Sequence, residues 1–206
     1  MTLPHPHLIF DLGGVIVNID PSRLQQAFTA LGLPNAREFF SLQGQHQLCE
    51  DFEVGRLTTT EFLQALHQQL PNASVAQLTA AWNANIITIE RAALDTLVEL
   101  KKRGHQLHVL SNNNALHYQL ITAELLRDHP YTFAELFDQI FLSHEVGLRK
   151  PDPRFFQHAL ATLKIQPSQA LFIDDLASNI ATAKALGVAT LQHPANQPIG
   201  YLLGDD

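Results

Sequence analysis

Residues 170–187 read ALFIDDLASNIATAKALG: a short apolar run, a pair of acids, a stretch of helix formers and a glycine. Ala170 to Ile173 form too continuous an apolar run for a half-exposed strand, and read as a strand buried on both faces in a parallel sheet. Leu176 to Leu186 then form a helix that Gly187 closes. In an open parallel sheet, ligands bind beyond the carboxyl ends of the strands, which is where Asp174 and Asp175 fall.

The same arrangement recurs outward from this unit. Asp11 follows LIF, Ser111 follows LHVL, and Lys150 comes soon after IFL. His7 to Val17 reads as one near-continuous apolar strand, interrupted by Gly13 and Gly14, which let the backbone come close to a ligand. Ile89 to Arg103 is helical with Gly104 as its cap, His105 to Leu110 is extended, and helix resumes to about Arg127. Gln139 to Leu142 and Val188 to Leu191 supply further strands, with a helix from about Asp152 to Lys164. Between Pro21 and about Asn85 the spacing is helical, broken at Gly32, Gly44, Gly55 and Pro71, and Thr58 with Glu61 forms a capping box. The expected fold is a doubly wound, Rossmann-like α/β core of about five parallel strands, with a helical insertion of about 65 residues after the first strand. The expected boundaries are 1–18 and 86–206 for the core and 19–85 for the insertion.

Composition narrows the class. The 206 residues are 46% apolar, enough for a sizeable core. A net charge of -7 and the lack of a basic run beyond Lys101 to Arg103, which closes a helix, argue against nucleic acid as a partner. No stretch approaches the roughly 18 consecutive apolar residues that span a bilayer, and MTLPHPH lacks the features of a secretory signal. Cys49 is the sole cysteine, which rules out an intrachain disulfide and fits a cytoplasmic setting. The 11 histidines are scattered without ligand spacing; His117 and His144 follow strand ends most closely. A monomer or homodimer is expected.

Alone, Asp11 would be an ordinary strand-end acid. With Gly13 and Gly14 behind it, amide groups can point at an anion while the carboxylate attacks a bound phosphorus atom, which divides one hard hydrolysis into two displacements. Asp174 and Asp175 add two like charges. At about 4 Å and an effective dielectric of 20, two unit charges repel by roughly 4 kcal/mol, so three carboxylates call for a divalent cation or for raised pKa values. Hard oxygen donors favour Mg²⁺. Asp175 also stands where it could cap the helix that follows, as Ser111 or Asn112 could cap theirs. Ser111 and Asn112 at a helix start also suit phosphate oxygens, and Lys150, in a loop stiffened by Pro151 and Pro153, suits a cation that offsets the phosphate charge.

FDLGGVIV, VLSNN, GLRKPDP and LFIDD together resemble the four ordered motifs of the haloacid dehalogenase superfamily of phosphohydrolases. The resemblance covers the whole chain, with the insertion similar to that family's helical cap. Within the family it is most similar to bacterial α-glucose-1-phosphate phosphatases and the amino-terminal phosphatase domain of soluble epoxide hydrolases. It implies Asp11 as nucleophile, Ser111 and Lys150 as phosphate holders, and Asp175 as a Mg²⁺ ligand with Asp174 beside it and the Gly13 carbonyl contributing. The implied activity is hydrolysis of a small phosphate ester, a sugar phosphate in particular. The chain departs from the family pattern at Gly13, where a second aspartate usually serves as acid and base, a service worth about 10²- to 10⁴-fold. Asn18, Asp20 or a cap residue are the candidates to replace it, and Glu53 or Arg56, beside Gly55, are the cap side chains placed to reach the site. Two other readings stand beside this one: a 2-haloacid dehalogenase, which also lacks the second aspartate, and a weakly catalytic member that binds a phosphorylated ligand or a protein.

Overall fold

In the computed structural model, which describes residues 3–40, 47–127 and 129–204, the first strand, β1 (His7–Phe10), is the centre of the molecule. It pairs in parallel on both edges, and the five-stranded sheet runs β5-β4-β1-β6-β7. The other members are β4 (Gln106–Ser111), β5 (Gln139–Leu142), β6 (Ala170–Asp174) and β7 (Ala189–Gln192). All pairings in this sheet are parallel, so every strand ends on the same side. A central strand pointing its side chains alternately up and down needs apolar residues wherever both faces are covered, and Leu8, Ile9 and Phe10 of β1 supply them. Leu8 and Phe10 pack with Leu107, Val109, Leu171 and Ile173 on one face, while Ile9 packs with Leu110 and Phe172 on the other.

Helices cover both faces. Leu94, Leu97 and Leu100 of α6 (Arg91–Lys102) close the first, and Phe155, Phe156 and Ala159 of α10 (Pro153–Leu163) with Ala183 of α11 (Ala177–Ala185) close the second. Asp152 caps α10 by accepting from the Arg154 amide, and Pro153 stands at its first position, where no N–H is needed. Of the shorter helices, α7 (Ala115–Leu120) follows β4 and α9 (Ser143–Val146) follows β5, whereas α8 (Phe133–Leu136) precedes β5 and packs on α6.

The insertion carries α1 (Pro21–Ala30), α2 (Ala36–Phe39), α3 (Gln47–Glu53), α4 (Thr59–Gln69) and α5 (Val75–Asn83). The Thr58–Glu61 capping box is formed, and Ser74 with Gln77 forms a second. The insertion has its own core of Phe28, Phe52, Phe62, Leu66, Leu78 and Trp82, joined from the other unit by Leu116. Phe52 and Phe62 stack at 4.1 Å, and burying each aromatic in full is worth about 2–3 kcal/mol. The expected break at Gly44 lies outside the described residues.

The structure corrects the expectation of one strand from His7 to Val17. After β1 the chain turns: the Ile16 and Val17 amides both donate to the Leu12 carbonyl, and Gly14 takes φ +76° while its amide donates to the Val17 carbonyl. Val17–Ile19 then forms β2, antiparallel to β3 (Ile86–Ile89), a ribbon through which the chain leaves and re-enters the core. Residues 86–89 are Ile-Ile-Thr-Ile, all β-branched, a strand signal that the helical periodicity of the following residues masks. Among the described residues no helix is long and apolar enough to cross a membrane.

Candidate active site

The strand ends converge as the topology requires. Asp11 directly follows β1, and its amide still donates to the Ile173 carbonyl of β6, so it is fixed beside Asp174 at the end of that neighbouring strand. Asp11, Asp174 and Asp175 each offer an oxygen within 4.8 Å of the others. Gly14 makes this possible from below: a Cβ at that position would lie 2.7 Å from Asp175 Oδ2, so the carboxylate occupies space that any other residue would fill.

Lys150 holds the acids together. Its Nζ lies 3.0 Å from Asp11 Oδ1 and 2.6 Å from Asp174 Oδ2, with the side chain wholly buried. Burial alone would pull the ammonium's pKa down, but Asp11 and Asp174 together hold it above the usual lysine value. Asp11 is less well compensated. Burial pushes its carboxyl up to about 7 against the pull of Lys150, and burial together with Asp174 also raises Asp175. Asp11 Oδ1 accepts from the Leu12 amide at 2.7 Å, and the Ser111 hydroxyl also hydrogen-bonds this carboxyl.

Asp174 has a different role from its neighbour. It is wholly buried and accepts from Lys150 Nζ, from Asn179 Nδ2 at 3.0 Å on both oxygens, and from the Leu176 amide at 2.8 Å. Its lone pairs are taken up in orienting Lys150. α11 starts without a side-chain cap: Asp174 accepts from the amide of Leu176, the residue ahead of the helix, and Asp175, which stood where it could cap, makes no capping bond. Asn179 was not among the expected site residues; its place five residues after Asp174, on the first turns of a helix facing the acid, is the signal that could have found it.

Two further expectations change. Neither Ser111 nor Asn112 caps α7; Asn114 does, accepting from the His117 amide. Asn112 lines the cavity, as expected of a phosphate-facing residue, and its side chain also joins the backbone of Lys150, with Nδ2 donating to its carbonyl at 2.9 Å and Oδ1 accepting from its amide at 2.7 Å. The Gly14 amide, expected to face an anion, is used within the turn.

Above the acids lies a cavity of about 590 Å³ roofed by the insertion. Leu24, Phe40, Trp82, Ile86 and Ile121 line it, with Ile19 above Gly13. Trp82 is held from the core: its Nε1 donates to Asn114 Oδ1, and its carbonyl accepts from His117 Nε2 at 3.0 Å while the two rings stack at 5.2 Å. Burial lowers the His117 pKa to about 4, so the ring is neutral near pH 7. On the other side Glu53 lies 3.1 Å from Arg149, and its carbonyl accepts from the wholly buried Ser143 hydroxyl at 2.6 Å. Of the two cap side chains expected to reach the site, Glu53 does, whereas Arg56 turns away to Asp51. Asn18 and Asp20 are not among the lining residues; Asp20 caps α1 through the Ser22 amide, and Asn18 reaches Glu90. Asn196, at the rim, clasps the backbone of Ile19 through both ends of its amide, each at 2.9 Å.

A carboxylate beside a buried ammonium, at the strand ends of a doubly wound sheet roofed by a helical insertion, is the construction of a hydrolase. The chain belongs to the haloacid dehalogenase-like hydrolases, whose family model matches residues 6–187. It is 30% identical over 187 residues to a D-ribitol-5-phosphate phosphatase of Bacteroides thetaiotaomicron, with 90% of each chain covered. It is 26% identical to the bifunctional epoxide hydrolase 2 of Rattus norvegicus, over 88% of this chain and 35% of that protein. A crystal structure of an enzyme of this family from Bacteroides thetaiotaomicron, in complex with magnesium and inorganic phosphate, superposes with a TM-score of 0.88 at 29% identity, covering 96% of this chain and 98% of that one.

Proposed function

We propose that the protein is a Mg²⁺-dependent phosphatase that hydrolyses a small phosphate ester through an aspartyl-phosphate at Asp11. The observation that carries this reading is the pairing of Asp11 with Lys150 at 3.0 Å inside a cluster of three carboxylates. In the first step a carboxylate oxygen of Asp11 bonds to phosphorus as the bond to the alcohol oxygen breaks. In the second, water bonds to phosphorus, the acyl–phosphate bond breaks, and Asp11 and inorganic phosphate are released. Lys150 and Ser111 hold the phosphoryl oxygens, so the protein contributes mainly position and charge.

The donor set fits a hard divalent cation. Burial raises the pKa values of both Asp11 and Asp175, the state that a bound cation relieves, and all donors are oxygens. Asp11, Asp175 and the Gly13 carbonyl would hold it, with Asp174 engaged by Lys150. When bound, Mg²⁺ supplies charge neutralisation for the phosphoryl oxygens. The relative crystallised with magnesium and phosphate supports this choice. Three carboxylates in one site also weigh against 2-haloacid dehalogenation, whose anionic substrate they would repel.

Residues 19–85 serve as the cap and 1–18 with 86–206 as the catalytic core. A sugar or sugar-alcohol phosphate is the substrate class that the ribitol-5-phosphate phosphatase relative supports. Position 13 offers no acid; among the described residues that line the cavity, Glu53 is the one carboxylate from the cap, and an anomeric or otherwise acidic hydroxyl needs less help to leave. A cytoplasmic location accords with the buried free thiol of Cys49.

Hydrolysis of p-nitrophenyl phosphate tests the reading. Turnover should require Mg²⁺, and Asp11→Asn should lower it by at least about 10⁴-fold with the fold retained. Metal-independent turnover, or turnover retained in that variant, would remove the assignment.

A further inference from the structure

Lys150 lies in a loop, outside any strand, so no ladder fixes its backbone. A buried amide and carbonyl still need partners. Asn112 supplies both, accepting from the Lys150 amide at 2.7 Å and donating to its carbonyl at 2.9 Å. A side-chain amide has the donor and acceptor of a peptide, so this residue pairs with Lys150 as one strand residue pairs with the next. We infer that Asn112 is a positioning residue: it acts on the reaction through Lys150, by fixing the point from which the lysine stem reaches Asp11 and Asp174.

The surroundings favour this role over the alternatives. Capping of α7 falls to Asn114, and Asn113 Oδ1 accepts from the Asn114 amide at 2.8 Å, so three consecutive asparagines have separate duties. The neighbours of Lys150 add little hold on its peptide groups. Pro151 brings no N–H, and the turn bond in this loop runs from the Asp152 amide to the Arg149 carbonyl at 2.9 Å, bypassing Lys150. Lysine is a flexible stem carrying a point charge, so its placement depends on where its Cα is held. Buried between two carboxylates, the Nζ has contacts of 2.6 Å and 3.0 Å that a small shift of the loop would unbalance.

This inference rests on Lys150 taking part in phosphoryl transfer, and a double-mutant cycle separates the two claims. N112A should lower kcat/KM on p-nitrophenyl phosphate by about 10²-fold, the cost of a displacement of about 1 Å at a catalytic group. In a K150M background the same change should cost less than about twofold, because its effect has already been lost. N112D keeps one of the two bonds, should fall between wild type and N112A, and serves in the cycle if N112A does not fold. Full additivity, with N112A costing as much in K150M as in wild type, would mean that Asn112 meets the phosphate independently and would overturn the positioning role alone. A wild-type rate for K150M would remove Lys150 from the reaction and the inference with it.

Discussion

The floor and the roof of the cavity are built by different means. At the floor, Asp11, Ser111, Asp174 and Asp175 sit at strand ends or one residue beyond, and sheet register brings them together. At the roof, Leu24 of α1, Phe40 just past the end of α2 and Trp82 of α5 come from separate parts of the insertion, and aromatic packing together with the Asn114 and His117 bonds holds them over the acids. The floor is a set of charges that must be balanced, the roof a set of shapes that must be seated. Damage to the first should appear as unbalanced charge and lost chemistry, and damage to the second as loosened docking and altered binding.

The largest effect expected from this contrast is that of Lys150→Met. It leaves Asp11 and Asp174 buried against each other and should cost about 3–5 kcal/mol in urea unfolding at neutral pH without metal. Unchanged stability would mean that the floor is not charge-balanced by the lysine. Acid should act on the roof. His117 has its folded pKa lowered to about 4 from 6.5, so it contributes stability that is full above pH 6.5 and lost as pH falls towards 4. The loss is at most about 3 kcal/mol, since part of its surface stays in water. His108, in the sheet core, is likewise lowered to about 4. His117→Gln should therefore remove one part of the acid-side slope of stability against pH, beside that of His108 and against the opposite contribution of Asp11, whose carboxyl is raised to about 7; an unaltered slope would remove His117 as the roof's titrating group.

Gly55→Ala tests the seat itself. Gly55 takes φ +71°, and a Cβ there would lie 2.0 Å from the His144 carbonyl, so the variant should lose about 1–3 kcal/mol and raise KM. Wild-type values of both Tm and KM would show that the roof does not rest on that contact. Gly13→Asp should have the smallest effect. Its Cβ would meet Ile19 Cδ1 at 3.4 Å, which a slight shift accommodates, and it should raise the rate on poor leaving groups by about tenfold. No gain would show that an acid from elsewhere already serves.

Most of the floor was legible in the sequence because each residue follows an apolar run, and that local pattern survives whatever the rest of the chain does. Asp174 and Asp175 look equivalent in sequence, yet only the fold shows one spent on Lys150, Asn179 and a backbone amide, and the other facing the cavity. Asn112 shows the same limit: its partner stands 38 residues away, and no local pattern names it. The parallel core of about five strands followed from the alternation of strands and helices, while the order of the strands and the β2–β3 ribbon did not, the ribbon because each of its strands is too short to show a period. Roof side chains were readable as apolar but not as lining, since packing at angles between helices decides which face meets the cavity.

The Asn196 clasp on Ile19 carries the influence of the late chain into the heart of the enzyme. Its own amide also donates to the Gly14 carbonyl at 2.8 Å, so a segment 177 residues downstream of Ile19 braces the turn that follows Asp11. Trimming this segment, or fusing a bulky partner close to it, would be felt where the chain passes from the core into the insertion, so protein engineers should treat the stretch around Asn196 as working machinery.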